Sequence, residues 1–208
     1  MSDAYVARLP RRGVVALSGP DARGFLDNLM TTNIAADPGA AVFGGLLTPQ
    51  GKLLFDFIVF QDGDRLLLDV ARDEIPALIR RLGLYKLRAK IEIADVSDQF
   101  TALAAWGADE PPVREAIVAR DPRLAALGWR ALVPAGEDIA PGTTEVAAAA
   151  YDAHRIALGV PEAGIDFAFG EAFPHDADMD ALAGVDFAKG CFIGQEVVSR
   201  MHHRGTAR

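Results

Sequence analysis

Near the end of the chain, Lys189-Gly190-Cys191-Phe192-Ile193-Gly194-Gln195-Glu196 sets the only cysteine of 208 residues between glycines and close to a lysine, an amide and a carboxylate. A thiolate is both nucleophile and soft ligand, and nearby positive charge favours it, so Cys191 with Lys189 reads as a reactive pair. The glycines let the backbone approach a ligand or take positive φ. Gln195 and Glu196 add the donor and acceptor edges that a flat polar heterocycle needs, since one carboxylate accepts two adjacent N–H donors in parallel. Further cations and donors follow in Arg200, His202, His203, Arg204 and the last four residues, Gly205-Thr206-Ala207-Arg208. A lone cysteine is by default an inert, buried small hydrophobe. The glycine-rich polar setting is what sets Cys191 apart.

A second cluster runs against an acidic background. Arg80, Arg81, Lys86, Arg88 and Lys90 occur with no acidic residue between Glu74 and Glu92. Arg80 and Arg81 suit a solvated helix end, where cations complement the dipole. Lys86 and Arg88 are candidates to hold an anion, and Tyr85 offers a flat face for stacking on an aromatic ligand. His202 and His203, eleven and twelve residues after Cys191, do not make a metal site, because structural zinc needs four ligands at short paired spacings. An iron-sulfur cluster held here would need thiolates from two chains. His154 and His175 are expected in solvated or capping roles.

The stretch Lys189 to Arg208, with Tyr85-Lys86-Leu87-Arg88 and Leu17-Ser18-Gly19-Pro20-Asp21-Ala22, resembles the YgfZ family of folate-binding proteins that support iron-sulfur cluster assembly. The resemblance spans nearly the whole chain. Aminomethyltransferases of the glycine cleavage system share that family's fold but are less similar at the cysteine. The resemblance implies a tetrahydrofolate or other reduced folate as ligand, with Glu196 and Gln195 on the pterin. Tyr85, Lys86 and Arg88 would line the entrance or meet the tail carboxylates. Cys191 would face the ligand with Lys189 beside it, and iron-sulfur client or assembly proteins would be transient partners. The alternative activity is one-carbon transfer, for which Asp56 would serve. Aminomethyltransferases carry paired aspartates where this chain has Phe55-Asp56. A second departure is Phe173-Pro174-His175-Asp176, where relatives tend to have glutamate and Asp176 has a shorter reach.

The elements that must position these residues are legible in the hydrophobic pattern. Gly13 to Leu17 reads as a buried strand, and Ser18 to Asp21 as a turn with Asp21 capping a helix that carries Phe25, Leu26 and Leu29. Ala41 to Leu47 and Leu53 to Phe60 form a hairpin around Pro49-Gln50-Gly51-Lys52, and Asp62-Gly63 turns into Leu66 to Val70. Asp73 caps a helix with Pro76 in its first turn, Ile75, Leu78, Ile79 and Leu82 on one face, and Gly83 as its end. Ala89 to Val96, Phe100 to Trp106 and Trp129 to Val133 read as strands, Pro134 to Pro141 as a connector, and Glu145 to Leu158 as a helix. The first half is thus βαβββαβ, a ferredoxin-like unit with an extra hairpin strand. With the resemblance, the expected architecture is α+β: two intertwined ferredoxin-like lobes, 1–96 and 97–208, without the C-terminal β-barrel that relatives carry.

Composition narrows the function class. Half the residues are hydrophobic, enough for a substantial core, and the net charge of -8 argues against a nucleic-acid footprint. No apolar run has the length of a membrane span or signal peptide. One cysteine excludes an internal disulfide, so a reducing compartment suits the chain and cytoplasm is the default location.

Overall fold

A computed structural model describes residues 4–113, 115–137 and 143–204, the last without its side chain. Ten strands fall into two five-stranded sheets. The first sheet has the order β3-β4-β5-β2-β6 and is antiparallel throughout. Its strands are β2 (Arg12–Ser18), β3 (Val42–Leu47), β4 (Leu53–Asp62), β5 (Arg65–Ala71) and β6 (Glu92–Asp95). The second sheet has the order β10-β1-β7-β9-β8. It comprises β1 (Tyr5–Arg8), β7 (Phe100–Trp106), β8 (Ile117–Arg120), β9 (Trp129–Pro134) and β10 (Thr144–Val146). Only its β1–β10 pair is parallel. The chain therefore starts in the second sheet and crosses to the first through Leu9-Pro10-Arg11.

Both faces of the first sheet are covered, which is why β4 and β5 read as nearly continuous apolar runs rather than alternating ones. On one face Val15, Leu17, Phe55, Phe57, Val59, Leu68 and Val70 pack under α1 (Ala22–Asp27) and α2 (Ile75–Lys86), through Leu26, Leu78 and Leu82. On the other face Val14, Ala16, Ile58, Phe60 and Leu67 meet Ala7, Ala102, Ala104 and Leu132 of the second sheet. Successive side chains of a strand point to opposite faces, so one strand supplies both layers. Helix α3 (Ala148–Ala157) sends Tyr151 into the layer between the sheets, and α4 (Gln195–Arg204) buries Val198 there.

Several expectations are corrected. Helix α2 runs through Gly83 to Lys86. Gly83 faces open space, where its missing side chain loses no contact, and the turn out of the helix comes at Leu87, whose φ is 41°. Asp21 makes no capping bond to α1; its Oδ2 accepts the Lys90 N–H at 2.7 Å and ties the helix start to the segment before β6. Asp73 lies in a 3-10 turn, Arg72–Glu74, and makes no cap bond either. The strand expected from residue 89 begins at Glu92, and β1, β8 and β10 were not expected from pattern, being three or four residues long. Part of the Pro134 to Pro141 connector, and Gly205 to Arg208 with their cations, lie outside the described residues.

Candidate functional site

The cysteine motif is a loop joined to the edge of β3 through Thr31 and Thr32. Thr31 starts the arrangement: its N–H donates to the Gly45 carbonyl at 3.0 Å, and its hydroxyl accepts the Gly45 N–H and donates to the Gly184 carbonyl. Asp186 follows. Its N–H donates to the Thr31 carbonyl, one carboxylate oxygen accepts Asn33 Nδ2 at 2.7 Å, and the other accepts the Ala188 and Lys189 N–H groups. The Lys189 ammonium donates to the Thr32 carbonyl, and Gln195 Nε2 donates to the Lys189 carbonyl at 3.2 Å. Gly194, at φ 81°, closes the loop against the β3–β4 turn; a Cβ there would lie 2.6 Å from the Thr48 carbonyl oxygen.

This places the expected residues unequally. Cys191 is a free thiol exposed at the crest of the loop, with Phe192 buried beneath it. Lys189 is buried and engaged with Thr32, so it clamps the loop; burial lowers its pKa, against the pull of Asp27 and Asp186. Gln195 braces the same loop. Glu196 is exposed in the first turn of α4 and paired with Arg200 one turn on.

Tyr85, Lys86 and Arg88 lie elsewhere. They sit at the end of α2, where Lys86 lines a cavity of about 360 Å³ with Ser18, Gly19, Ala89, Lys90, Ile91 and Glu92, beside the β6 edge. Tyr85 is half-buried against the helix-covered core, and Arg88 is exposed. The β3 and β6 edges are separated by four strand spacings, roughly 19 Å. The two parts of the site expected from sequence are therefore not brought together.

Between the two sheets lies a charged layer. Asp69 on β5 has no exposure and bridges both sheets, accepting Arg12 Nε at 2.7 Å and Arg130 Nε at 2.6 Å. Burial pushes its carboxyl up, but the two guanidinium groups outweigh that and hold it at about 2. Arg123 pairs with Asp121 through both Nε and Nη2 and also donates to the Tyr151 hydroxyl at 2.8 Å. Arg155, wholly enclosed, pairs with Asp152, Glu162 and Asp166.

Asp56 is the odd member. It faces this layer from β4, opposite Gly45, one strand in from the edge that carries Thr31 and the cysteine loop. Its Oδ1 is buried with no hydrogen-bond partner. Burial raises its pKa, with Arg12 and Arg123 opposing and Glu162 adding to the rise. A buried acceptor without a donor is costly and unusual, and it suits a ligand N–H or a proton. His175 is similar, buried with both ring nitrogens unpartnered beside Phe187, on which His202 stacks at 3.8 Å.

Sequence reasoning passed over Arg12, Asp69, Arg123, Arg130 and Glu162. The signal was present for three of them: a charge at the inward-facing position of an otherwise apolar strand, as in Leu67-Leu68-Asp69-Val70 and Trp129-Arg130-Ala131-Leu132.

No protein-family model matches the chain. The chain is 34% identical to an iron-sulfur cluster assembly factor, the mitochondrial IBA57 homologue of Mycosarcoma maydis, over 98% of its own length and 55% of that protein. It is 32% identical to the Neurospora crassa homologue over 99% of its length and 52% of that protein. With human mitochondrial IBA57 it shares 33% identity over 97% of its length and 63% of that protein. The chain thus spans about half the length of the fungal relatives. Its fold matches the glycine cleavage system aminomethyltransferase T of Bartonella henselae with TM-score 0.75 at 17% identity, over 99% of this chain and 65% of that one. The family resemblance and the α+β architecture read from sequence both hold. The cytoplasmic location does not: these relatives are named mitochondrial proteins. A lone free thiol calls for a reducing compartment without distinguishing between the two.

Proposed function

We propose, from the premise that this chain is a homologue of the iron-sulfur cluster assembly factors named IBA57, that it takes part in assembling or repairing iron-sulfur clusters in client enzymes. The observation that carries this reading is the exposed Cys191 thiol on a loop held from below by Lys189, Asp186 and Gly194. A thiolate presented to solvent can meet a sulfur-ligated cluster or the assembly protein that carries it. The cluster is cargo, and transient iron-sulfur client or assembly proteins are the partners.

The second part of the proposal is that a reduced folate binds beside this loop. The fit rests on Asp56, whose unpartnered buried oxygen would accept one of the N–H donors of the pterin edge. Glu196 and Gln195, at the start of α4, would meet the ligand from the loop side. Tyr85, Lys86 and Arg88, at the opposite edge of the first sheet, would reach the ligand only through its tail, and their own substitution to alanine in the titration tests that part. A bound reduced folate would supply a carrier for a one-carbon unit. Asp56 would hold or release a proton near it, a role its raised pKa suits. That same feature supports a second reading, folate-dependent one-carbon transfer of the aminomethyltransferase kind, with Asp56 as the acid or base.

Anaerobic calorimetry with tetrahydrofolate tests the folate part, using wild type, Asp56→Asn, Glu196→Ala and Cys191→Ser. Saturable binding that weakens at least tenfold in Asp56→Asn and persists in Cys191→Ser is expected. In a strain lacking the gene, Cys191→Ser should fail to restore cluster content of iron-sulfur enzymes; full restoration would overturn the thiol's role. Steady one-carbon turnover by the purified protein, lost in Asp56→Asn, would select the transferase reading.

A further inference from the structure

The end of α2 carries a second surface. Leu84 is 65% exposed and Leu87 89% exposed, the two most exposed large apolar side chains of the described residues. Around them stand Arg80, Arg81, Lys86, Arg88 and Lys90, none of which forms an ion pair among the described residues. The other arginines of the fold mostly do: Arg8, Arg11, Arg12, Arg65, Arg123, Arg130, Arg155 and Arg200 are each paired with a carboxylate.

Leu87 adds a third, independent observation. Its φ of 41° and ψ of -103° are a backbone conformation that a leucine rarely adopts, and it holds the side chain in water rather than in the core. Strain of this kind persists where the surroundings impose it, and it clusters at sites of binding and switching. An apolar tip ringed by unpaired cations on a molecule of net charge -8 has one complementary occupant. That occupant is an acidic protein surface with a small apolar recess. An anionic membrane fits less well, because two leucines give a shallow anchor and the rest of the molecule repels an anionic sheet.

We infer that the C-terminal end of α2, Arg80 to Lys90, is a docking surface for an acidic protein partner, with Leu84 and Leu87 as apolar anchors and Arg80, Arg81 and Arg88 as the charged rim. Charge at the rim steers encounter and fixes register, and the buried anchors resist dissociation. The surface lies across the first sheet from Cys191, so a partner held there leaves the thiol open.

The test is an amide chemical-shift titration of the whole chain with a synthetic helical peptide bearing glutamates and two leucines four residues apart. The same peptide with serine for leucine and vesicles of phosphatidylglycerol serve as the other arms. Shifts confined to residues 80–90 are expected, weakened at least tenfold by Arg80→Glu with Arg88→Glu. Leu87→Gly should raise the melting temperature, since glycine tolerates the backbone, yet weaken peptide binding severalfold. Raising salt from 50 to 200 mM should weaken wild type more than the charge-reversed protein. Shifts centred elsewhere, indifference to charge reversal, equal binding of the serine peptide, or response to vesicles alone would each overturn the assignment. The titration uses neither the thiol nor folate, so its failure leaves the cluster-assembly reading standing.

Discussion

Replacing Asp56 by asparagine should stabilise the protein at neutral pH, and the gain should disappear in acid. The carboxylate is enclosed between the sheets with Oδ1 unpartnered. Leaving a buried acceptor unsatisfied costs about 1–3 kcal/mol, and more when it is charged. Arg12 and Arg123 offset part of that penalty, yet burial wins and the folded-state pKa stands above the ordinary carboxylate value of 3.8. The folded state therefore binds this proton more tightly than the unfolded chain does. Stability contributed by Asp56 is greatest below its unfolded pKa and falls as pH rises through the folded value, after which the penalty is constant. Asparagine keeps the shape and removes the charge, so Asp56→Asn should be more stable than wild type by about 1 kcal/mol at pH 8, with the difference shrinking toward zero near pH 4. Urea unfolding of both proteins from pH 4 to 8, with unchanged m-values, measures this. A pH-independent difference, or destabilisation of about 1 kcal/mol at pH 8, would refute the reasoning, because Asp56 would then be a satisfied structural carboxylate. A group that lowers stability while occupying a buried polar layer is what a binding or proton-transfer role would leave behind.

Asp69 should behave oppositely. With a folded pKa of about 2, it contributes about 2 kcal/mol that is present above the unfolded value of 3.8 and lost as pH falls toward 2. Asp69→Asn strands Arg130 without a counter-charge and leaves Arg12 only its 4.0 Å contact with Glu162, and should cost about 3–5 kcal/mol by urea unfolding; Asp69→Asn at under 1 kcal/mol would mean the pair finds other partners. Lys189→Met removes the clamp on Thr32, so amide exchange of residues 186–194 should speed up at least tenfold while global stability drops by about 2 kcal/mol or less. Gly194→Ala drives a Cβ against the Thr48 carbonyl at positive φ and should cost about 1–3 kcal/mol, with loss of the Cys191-dependent phenotype; a neutral result in thermal melts would show that the loop is not held by that turn.

Local pattern carried much of this protein. The apolar runs of β4 and β5, the turn at Asp62-Gly63 and the amphipathic face of α2 follow from periodicity, because which side chains share a face depends only on the geometry of strand or helix. The cysteine loop was legible as a motif of residue types, but its tertiary contacts were not: the bond from Gln195 to the Lys189 carbonyl is local, while the Lys189 side chain reaches Thr32 and Gly194 meets Thr48, both far back along the chain. What periodicity did not reveal was partnership across the chain. Arg12, Asp69 and Arg130 are 57 and 61 residues apart along the sequence and become a bridge only when β2, β5 and β9 stack in facing sheets. Nor did motif adjacency disclose that Tyr85, Lys86 and Arg88 sit at one edge of a sheet and Cys191 at the other, since that separation is set by strand order, β3-β4-β5-β2-β6. Sequence by itself determined the longer elements, the cysteine-bearing loop and the family resemblance. Tertiary structure decided which carboxylate is left without a partner and which cations are left free, because burial and pairing are properties of surfaces brought together from distant parts of the chain.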